Sequence, residues 1–202
     1  MGKFASWTRA LSSAALMMVA GVLLSACGVN SIPSDSEMAK AKWADVMNQY
    51  QRRADLIPNL VETVKGYAQQ EKTVLEEVTN ARARATSIQV NADTVTDPDA
   101  FKKFEEAQTQ LSGSLGRLLA IQENYPDLKS NQNFLALQSQ LEGTENRITV
   151  ARRDYIEAVR VYNTDLITFP TALWAWTFYS GYKPMQVFTA SDDVKTPPTV
   201  KF

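Results

Sequence analysis

The sequence predicts an all-α fold, an antiparallel up-and-down four-helix bundle. Apolar and small residues recur at alternating spacings of four and three, the period that places them on one helix face. A capping box and an Asp-Pro pair mark helix starts, and X-Pro pairs mark helix ends. With 45% hydrophobic residues and only 8 Gly and 8 Pro in 202, the chain has enough apolar surface to fold and little of it is committed to breakers.

The first helix is expected from residue 35, where Ser34-Asp35-Ser36-Glu37 matches an S-x-x-E capping box after a tether over 27–34. Its stripe is Trp43, Met47, Tyr50, Ala54, Ile57, Val61, Val64 and Ala68, and the phase resumes at Leu75, Val78 and Ala85. Pro58 interrupts it and allows two readings. One helix can continue with a kink, or the chain can turn a corner at 55–57, with Arg52-Arg53 ending one helix and Asp55 capping the next. An unbroken helix over 35–88 would rise about 80 Å, against about 44 and 55 Å for the two helices that follow. That mismatch favours the corner and four helices. The alternative is a three-helix bundle with a long kinked first helix.

Residues 87–96 are polar and read as a loop. Asp97-Pro98 then supplies an N-cap acceptor and a proline at the first helical position. The stripe that follows is Phe101, Phe104, Leu111, Leu115, Leu118 and Tyr125, with Gln108 and Gln122 in the intervening heptad positions; Tyr125-Pro126 ends it. A last long helix is expected from about Ser130, with Phe134, Leu141, Ile148, Tyr155, Val159, Tyr162 and Leu166 on one face, up to Phe169-Pro170. The bundle domain is placed at 35–190. Its final part carries Leu173, Trp174, Trp176, Phe178, Tyr179, Tyr182 and Phe188. These rings either cover the open end of the bundle or form a foot at a membrane interface, where Trp and Tyr prefer to sit. Residues 191–202, with Pro197-Pro198, are expected to be a disordered tail.

At the N-terminus, Lys3 and Arg9 precede an apolar stretch over 11–24, and Leu24-Ser25-Ala26-Cys27 closes it. This resembles a bacterial lipobox, which implies removal of 1–26 and lipid attachment to Cys27. The stretch is about 14 residues long where a bilayer crossing needs about 20, so a spanning helix is the weaker reading, as is a plain secretory signal with a chance cysteine. Gly28 stands where an aspartate would resemble an inner-membrane retention signal. Outer-membrane attachment is the expectation in a two-membrane host.

Composition narrows the chemistry. There is no histidine, and the single cysteine is the one assigned to lipid. Catalytic triads built on His or Cys, thiolate zinc sites and disulfides are therefore excluded. Neither GxxxxGK[ST] nor GxGxxG occurs. Without Lys3 and Arg9, 19 basic residues face 22 acidic ones, a net charge of −3, and no basic patch calls for nucleic acid.

The run Arg52-Arg53-Ala54-Asp55-Leu56-Ile57-Pro58-Asn59-Leu60-Val61-Glu62-Thr63-Val64-Lys65-Gly66-Tyr67-Ala68, followed by Glu71, closely resembles the signature of the LemA family. Ala81-Arg82, Glu123-Asn124-Tyr125-Pro126-Asp127-Leu128-Lys129, Asn133-Phe134, Glu145-Asn146, Ala151-Arg152-Arg153 and Asn163 follow in the expected order. The resemblance covers about 43–188. It implies a membrane-anchored antiparallel helical bundle with a role in envelope maintenance or signalling, and brings no established catalytic activity. Many members look anchored by a transmembrane helix, from which the lipobox here departs.

Glu71, Glu123 and Glu145 fall on or near the stripes, and Arg82, Arg152 and Arg53 are available to pair with them. A structural ion-pair network across helices is expected. The alternative is a carboxylate-based metal-binding or hydrolytic site, incomplete by ferritin-like standards because Glu-x-x-His cannot be formed. Arg52, Arg53, Asp55 and Asn59 make a candidate interaction surface, as do Trp174, Trp176 and Tyr182. No catalytic residue, cofactor or metal ligand is assigned. The expected function is a non-enzymatic helical scaffold or interaction module, partnered by the membrane through Cys27 and by an envelope protein, with homo-oligomerisation left open.

Overall fold

The computed structural model describes residues 28–88 and 94–189, and all regular structure among them is helical. The helices are α1 (Ser31–Lys65), α2 (Lys72–Ser87), α3 (Pro98–Ala120), α4 (Pro126–Lys129), α5 (Gln132–Ile167) and α6 (Thr171–Thr177). Single 3-10 turns occupy Thr94–Thr96 and Ile121–Asn124. The expected leader over 1–26, lipid attachment at Cys27 and tail over 191–202 lie outside the described residues.

Helix α1 begins at Ser31, ahead of the expected capping box. Ser36 is buried within the helix, and Asn30 at the cap makes no side-chain bond. Pro33 is tolerated because first-turn N–H groups have no intrahelical partner. Residues 31–34, read as tether, are thus helical.

The expected corner at Asp55 is absent. Helix α1 runs through Pro58 to Lys65. Asp55 does not cap; its carboxylate accepts from Gln51 Nε2 at 2.7 Å, one turn back. Pro58 has no N–H for the carbonyl of Ala54, four residues earlier, a loss that would ordinarily break a helix. Arg82 Nε of α2 donates to that carbonyl at 2.7 Å. A neighbouring helix replaces the missing donor, and the chain reverses later, over 66–71.

Helices α1 and α5 are antiparallel, as residue pairs fix their order. Trp43 meets Tyr155 at 5.1 Å between ring centroids, Arg147 Nε bonds Gln49 at 3.2 Å, and Asn131 Nδ2 bonds the Tyr67 hydroxyl at 2.8 Å. Helices α2 and α3 run oppositely too, with Arg84 on Gln110 and Arg117 on Glu77. Asp97 caps α3 as expected, accepting from the backbone N–H of Asp99 and Ala100. Asn131 caps α5 by accepting from Phe134 N, so that helix starts two residues after the expected Ser130.

The interior has two parts. One is aliphatic: Ile57, Leu60 and Val64 of α1, Leu75 and Val78 of α2, Leu111, Leu115 and Leu118 of α3, with Leu141 of α5, the buried Phe134 ring and the partly buried Tyr125. The other is aromatic: Trp43 and Tyr50 of α1, Phe101 and Phe104 of α3, Tyr155 and Tyr162 of α5, and Phe188. Phe188 belongs to an extended segment, 183–189, that lies back on α5. Asn163 clamps it, accepting from Met185 N and donating to Met185 O, both at 2.9 Å. The Tyr155 and Tyr162 hydroxyls donate to the carbonyls of Gln186 and Lys183.

Candidate functional site

Between the two interiors lies one buried charge. Arg53, 1% exposed, reaches from α1 toward α3 and α5. Its Nη1 donates to Glu145 Oε1 at 2.9 Å and to Ser112 Oγ at 2.8 Å, and its Nη2 donates to Gln108 Oε1. The guanidinium carbon sits 5.0 Å from the Tyr50 ring centroid. Only Nε is left, buried without an acceptor. A guanidinium brought out of water demands this density of partners, because burying a charge costs far more than any one bond returns. Gln108 therefore occupies a core heptad position for a reason.

Arg53 forms the floor of a groove of about 890 Å³ between α3 and α5. Glu105, Glu145 and Arg152 stand along its walls, and Phe188 closes one end beneath the Arg152 guanidinium, 4.1 Å from the ring centroid. Glu105 is 4.0 Å from Arg152 and accepts from Thr189 N at 3.3 Å. Burial still outweighs both partners and holds the Glu105 carboxyl above the usual carboxylate range. At the aromatic end, burial and then Tyr182 push Tyr162 up to about 12, which keeps its hydroxyl a donor. The groove presents charges of both signs, a surface suited to a polar protein segment rather than to one anion. Among the described residues no group of three or more Cys, Asp or Glu side chains is placed to hold a metal ion.

The expected network is only partly assembled. Arg53 and Glu145 are paired, and Arg152 reaches Glu105 instead of one of the three expected glutamates. Glu71 accepts from the Tyr125 hydroxyl at 3.1 Å, Glu123 pairs with exposed Lys129 at 2.7 Å, and Arg82 serves the Ala54 carbonyl. Glu71 and Glu123 sit at helix ends, where Tyr125 and Lys129 come within reach and the expected arginines do not. The candidate interaction residues separate as well. Arg53 is inside, while Arg52, Asp55 and Asn59 lie along one exposed stripe of α1. Trp176 is 79% exposed; Trp174 packs partly against the aromatic interior, and Tyr182 is partly exposed against Tyr179. Sequence reasoning missed Glu105, Ser112 and the clamp on 183–189. Gln108, a polar residue in an apolar stripe, was the available signal for the first two.

A family model described as the LemA family matches residues 42–202. The chain belongs to the LemA family. Among curated LemA-like relatives, magnetosome protein MamQ 2 of Paramagnetospirillum magneticum is 24% identical over 185 residues, covering 83% of this chain and 67% of that protein. MamQ of Magnetospirillum gryphiswaldense is 23% identical over 206 residues, 93% of this chain and 74% of that protein. Protein LemA of Metamycoplasma hominis is 28% identical over 120 residues, 59% of this chain and 50% of that protein. Among the described residues, no helix of this LemA-family chain is long and apolar enough to cross a membrane.

Proposed function

We propose that this LemA-family chain is a non-enzymatic interaction module of the cell envelope: an up-and-down four-helix bundle held to a membrane by lipid on Cys27, presenting its helical faces to a protein partner. In a two-membrane host, Gly28 after the cysteine supports the outer membrane as its place. The reading rests chiefly on the fate of the carboxylates. Glu145 is spent on Arg53, Glu123 on Lys129, and Glu71 accepts from Tyr125. The antiparallel pairs α2 with α3 and α1 with α5, and the reversal of the chain over 66–71, support the four-helix topology. The exposed stripe of Arg52, Asp55 and Asn59, and the two-signed groove, are the faces offered to a partner.

The reading has two tests. Cys27→Ser is expected to abolish lipid labelling and leave precursor unprocessed; normal processing of that variant rejects the lipid anchor. Photo-crosslinkers at Arg52 and Thr109 in cells are expected to capture the same envelope protein, with capture lost when the groove is altered by Glu105→Gln. A carboxylate-based hydrolytic site is the second reading, favoured by the raised Glu105 in the groove, a carboxyl able to carry a proton. Hydrolytic turnover by the purified chain, lost in Glu105→Gln, would establish it in place of the first.

A further inference from the structure

The large apolar residues that end the domain divide into two sets. Met185 and Phe188 are buried, while Ile167 is 77% exposed, Phe169 87%, Trp176 79% and Phe178 69%. The exposed set lies in one short stretch. Residues 166–182 contain no charged side chain, although 21% of the chain is charged. Within α6, Trp174 and Ala175 pack inward, while Leu173 and Trp176, three residues apart, face out together. Large apolar side chains exposed together in one short uncharged stretch mark a binding site rather than ordinary exposure.

What covers that surface is indicated by its neighbour. A Cβ at Gly28 would lie 3.3 Å from Thr171 Cγ2 and 4.0 Å from Trp174 Nε1, so the chain enters the described domain directly against α6. The residue before Gly28 is Cys27, and the apolar stretch 11–24 ends only a few residues earlier. With lipid on Cys27, or with an uncleaved apolar segment inserted upstream of it, residue 27 is held at a bilayer. Helix α6 must then sit there too. The indole N–H of Trp174 is buried and has no acceptor. It lies beside Gly28, where the chain enters the described domain.

We propose that α6 and its flanks form a membrane foot, in which Ile167, Phe169, Leu173, Trp176 and Phe178 enter the headgroup region of the bilayer that holds the N-terminus. This rests on the anchoring reading only in requiring residue 27 at a membrane. Indole rings favour that zone because their apolar body and polar N–H are satisfied at once. A surface helix of this kind settles about 5–10 Å into the headgroup and acyl boundary. The foot restrains the bundle, so that α1 and α5 stand off the membrane at a set angle instead of swinging on a flexible thread.

The test uses the full chain, purified from membranes and reconstituted in phosphatidylethanolamine and phosphatidylglycerol vesicles. Nitroxides are placed through Trp176→Cys, through Phe169→Cys, and through Ser130→Cys at the opposite pole. The ratio of oxygen to nickel-chelate accessibility is expected to be severalfold higher at 176 and 169 than at 130; equal ratios overturn the foot. The unaltered chain, whose sole cysteine is Cys27, is labelled in parallel. Label uptake there rejects lipid attachment but not the foot, which the depth ratio judges separately. A second measurement avoids new cysteines. In a Trp7→Phe background, brominated lipids are expected to quench tryptophan emission, and adding Trp174→Phe/Trp176→Phe is expected to abolish that quenching. Absence of quenching, or quenching unchanged in the variant, overturns the proposal.

Discussion

On the Lys65 side of Arg53 the interior is filled by aliphatic side chains from four long helices; on the Ser31 side it is filled mainly by rings from α1, α5 and the start of α3, with the extended 183–189 segment as the remaining wall. The difference follows from helix length. Helix α2 has 16 residues and rises about 24 Å, whereas α1 has 35 and rises about 52 Å. Where α2 runs out, one wall of the bundle is missing. Large rings fill more space per residue, and the returning segment lays Met185 and Phe188 over what they leave open. Arg53 marks the level of the change, and its groove lies along the seam.

The strongest way to break the comparison is to remove its central ring. Trp43 contacts Phe101, Phe104, Tyr155 and Phe188 within 5.9 Å of each ring centroid. Trp43→Ala is expected to cost about 4–5 kcal/mol, and Leu118→Ala in the aliphatic half about 2–4 kcal/mol. Hydrogen exchange adds the sharper readout. Trp43→Ala should speed exchange in 98–104 and at Gln186 while α2 keeps its protection; a uniform rise across both halves would mean that they melt as one unit and that the division is only compositional.

Next in size is the seam itself. Glu145→Ala leaves the buried Arg53 charge without its counter-ion, for which breaking a buried pair typically costs about 3–5 kcal/mol. The Glu145 side chain is 46% exposed, and water can partly replace it, so about 2–3 kcal/mol is expected by denaturant unfolding. Glu71→Ala loses one hydrogen bond from the Tyr125 hydroxyl, worth about 1 kcal/mol. Equal losses in the two variants would show that the seam carries no special burden.

Much of this architecture was legible from spacing. Most residues of the three stripes are buried along α1 to α5, with Met47, Val61, Tyr125 and Leu166 only partly so, and Asp97-Pro98 starts α3 as read, because periodicity and caps are local signals. Pro58 was misread because the donor that rescues its helix, Arg82, comes from 28 residues away. Local chemistry at 52–58 fits a corner as well as a kink. The segment 183–189 gave no signal either: its order comes from Asn163, Tyr155 and Tyr162 on α5 rather than from any period of its own. The stripes put glutamates and arginines near one another but could not choose partners among them. That choice depends on helix register and on which side chains lie within reach at a helix end.

The Pro58 and Arg82 pair offers a smaller test, because it joins α1 to α2 just above the seam. Arg82→Ala strands the Ala54 carbonyl and is expected to cost about 1–2 kcal/mol. Pro58→Ala restores a backbone donor to the same carbonyl. In that background, Arg82→Ala should cost markedly less, and the double-mutant cycle should show coupling of about 1 kcal/mol. Full additivity would mean that Arg82 acts through packing alone.

The smallest effect belongs to the aromatic end, where Asp35 of α1 faces Asp165 of α5. Burial, then the Asp165 charge, then a hydrogen bond to Asp165 raise the Asp35 carboxyl above its ordinary value. A carboxyl whose folded pKa exceeds its unfolded one binds its proton more tightly in the native state. The ionised pair is therefore a penalty, fully present above the folded value and relieved as pH falls through it toward the unfolded value. Both groups stand near solvent, so the penalty is small. Asp35→Asn should raise the Tm slightly at neutral pH and leave it unchanged in acid below the ordinary aspartate range. In the aliphatic half, Glu77→Gln breaks an exposed pair with Arg117 and should do the reverse at neutral pH. If Asp35→Asn instead lowers the Tm at neutral pH, the Asp35 carboxylate is serving as an acceptor that the native state needs, and the two ends of the molecule treat their acids alike.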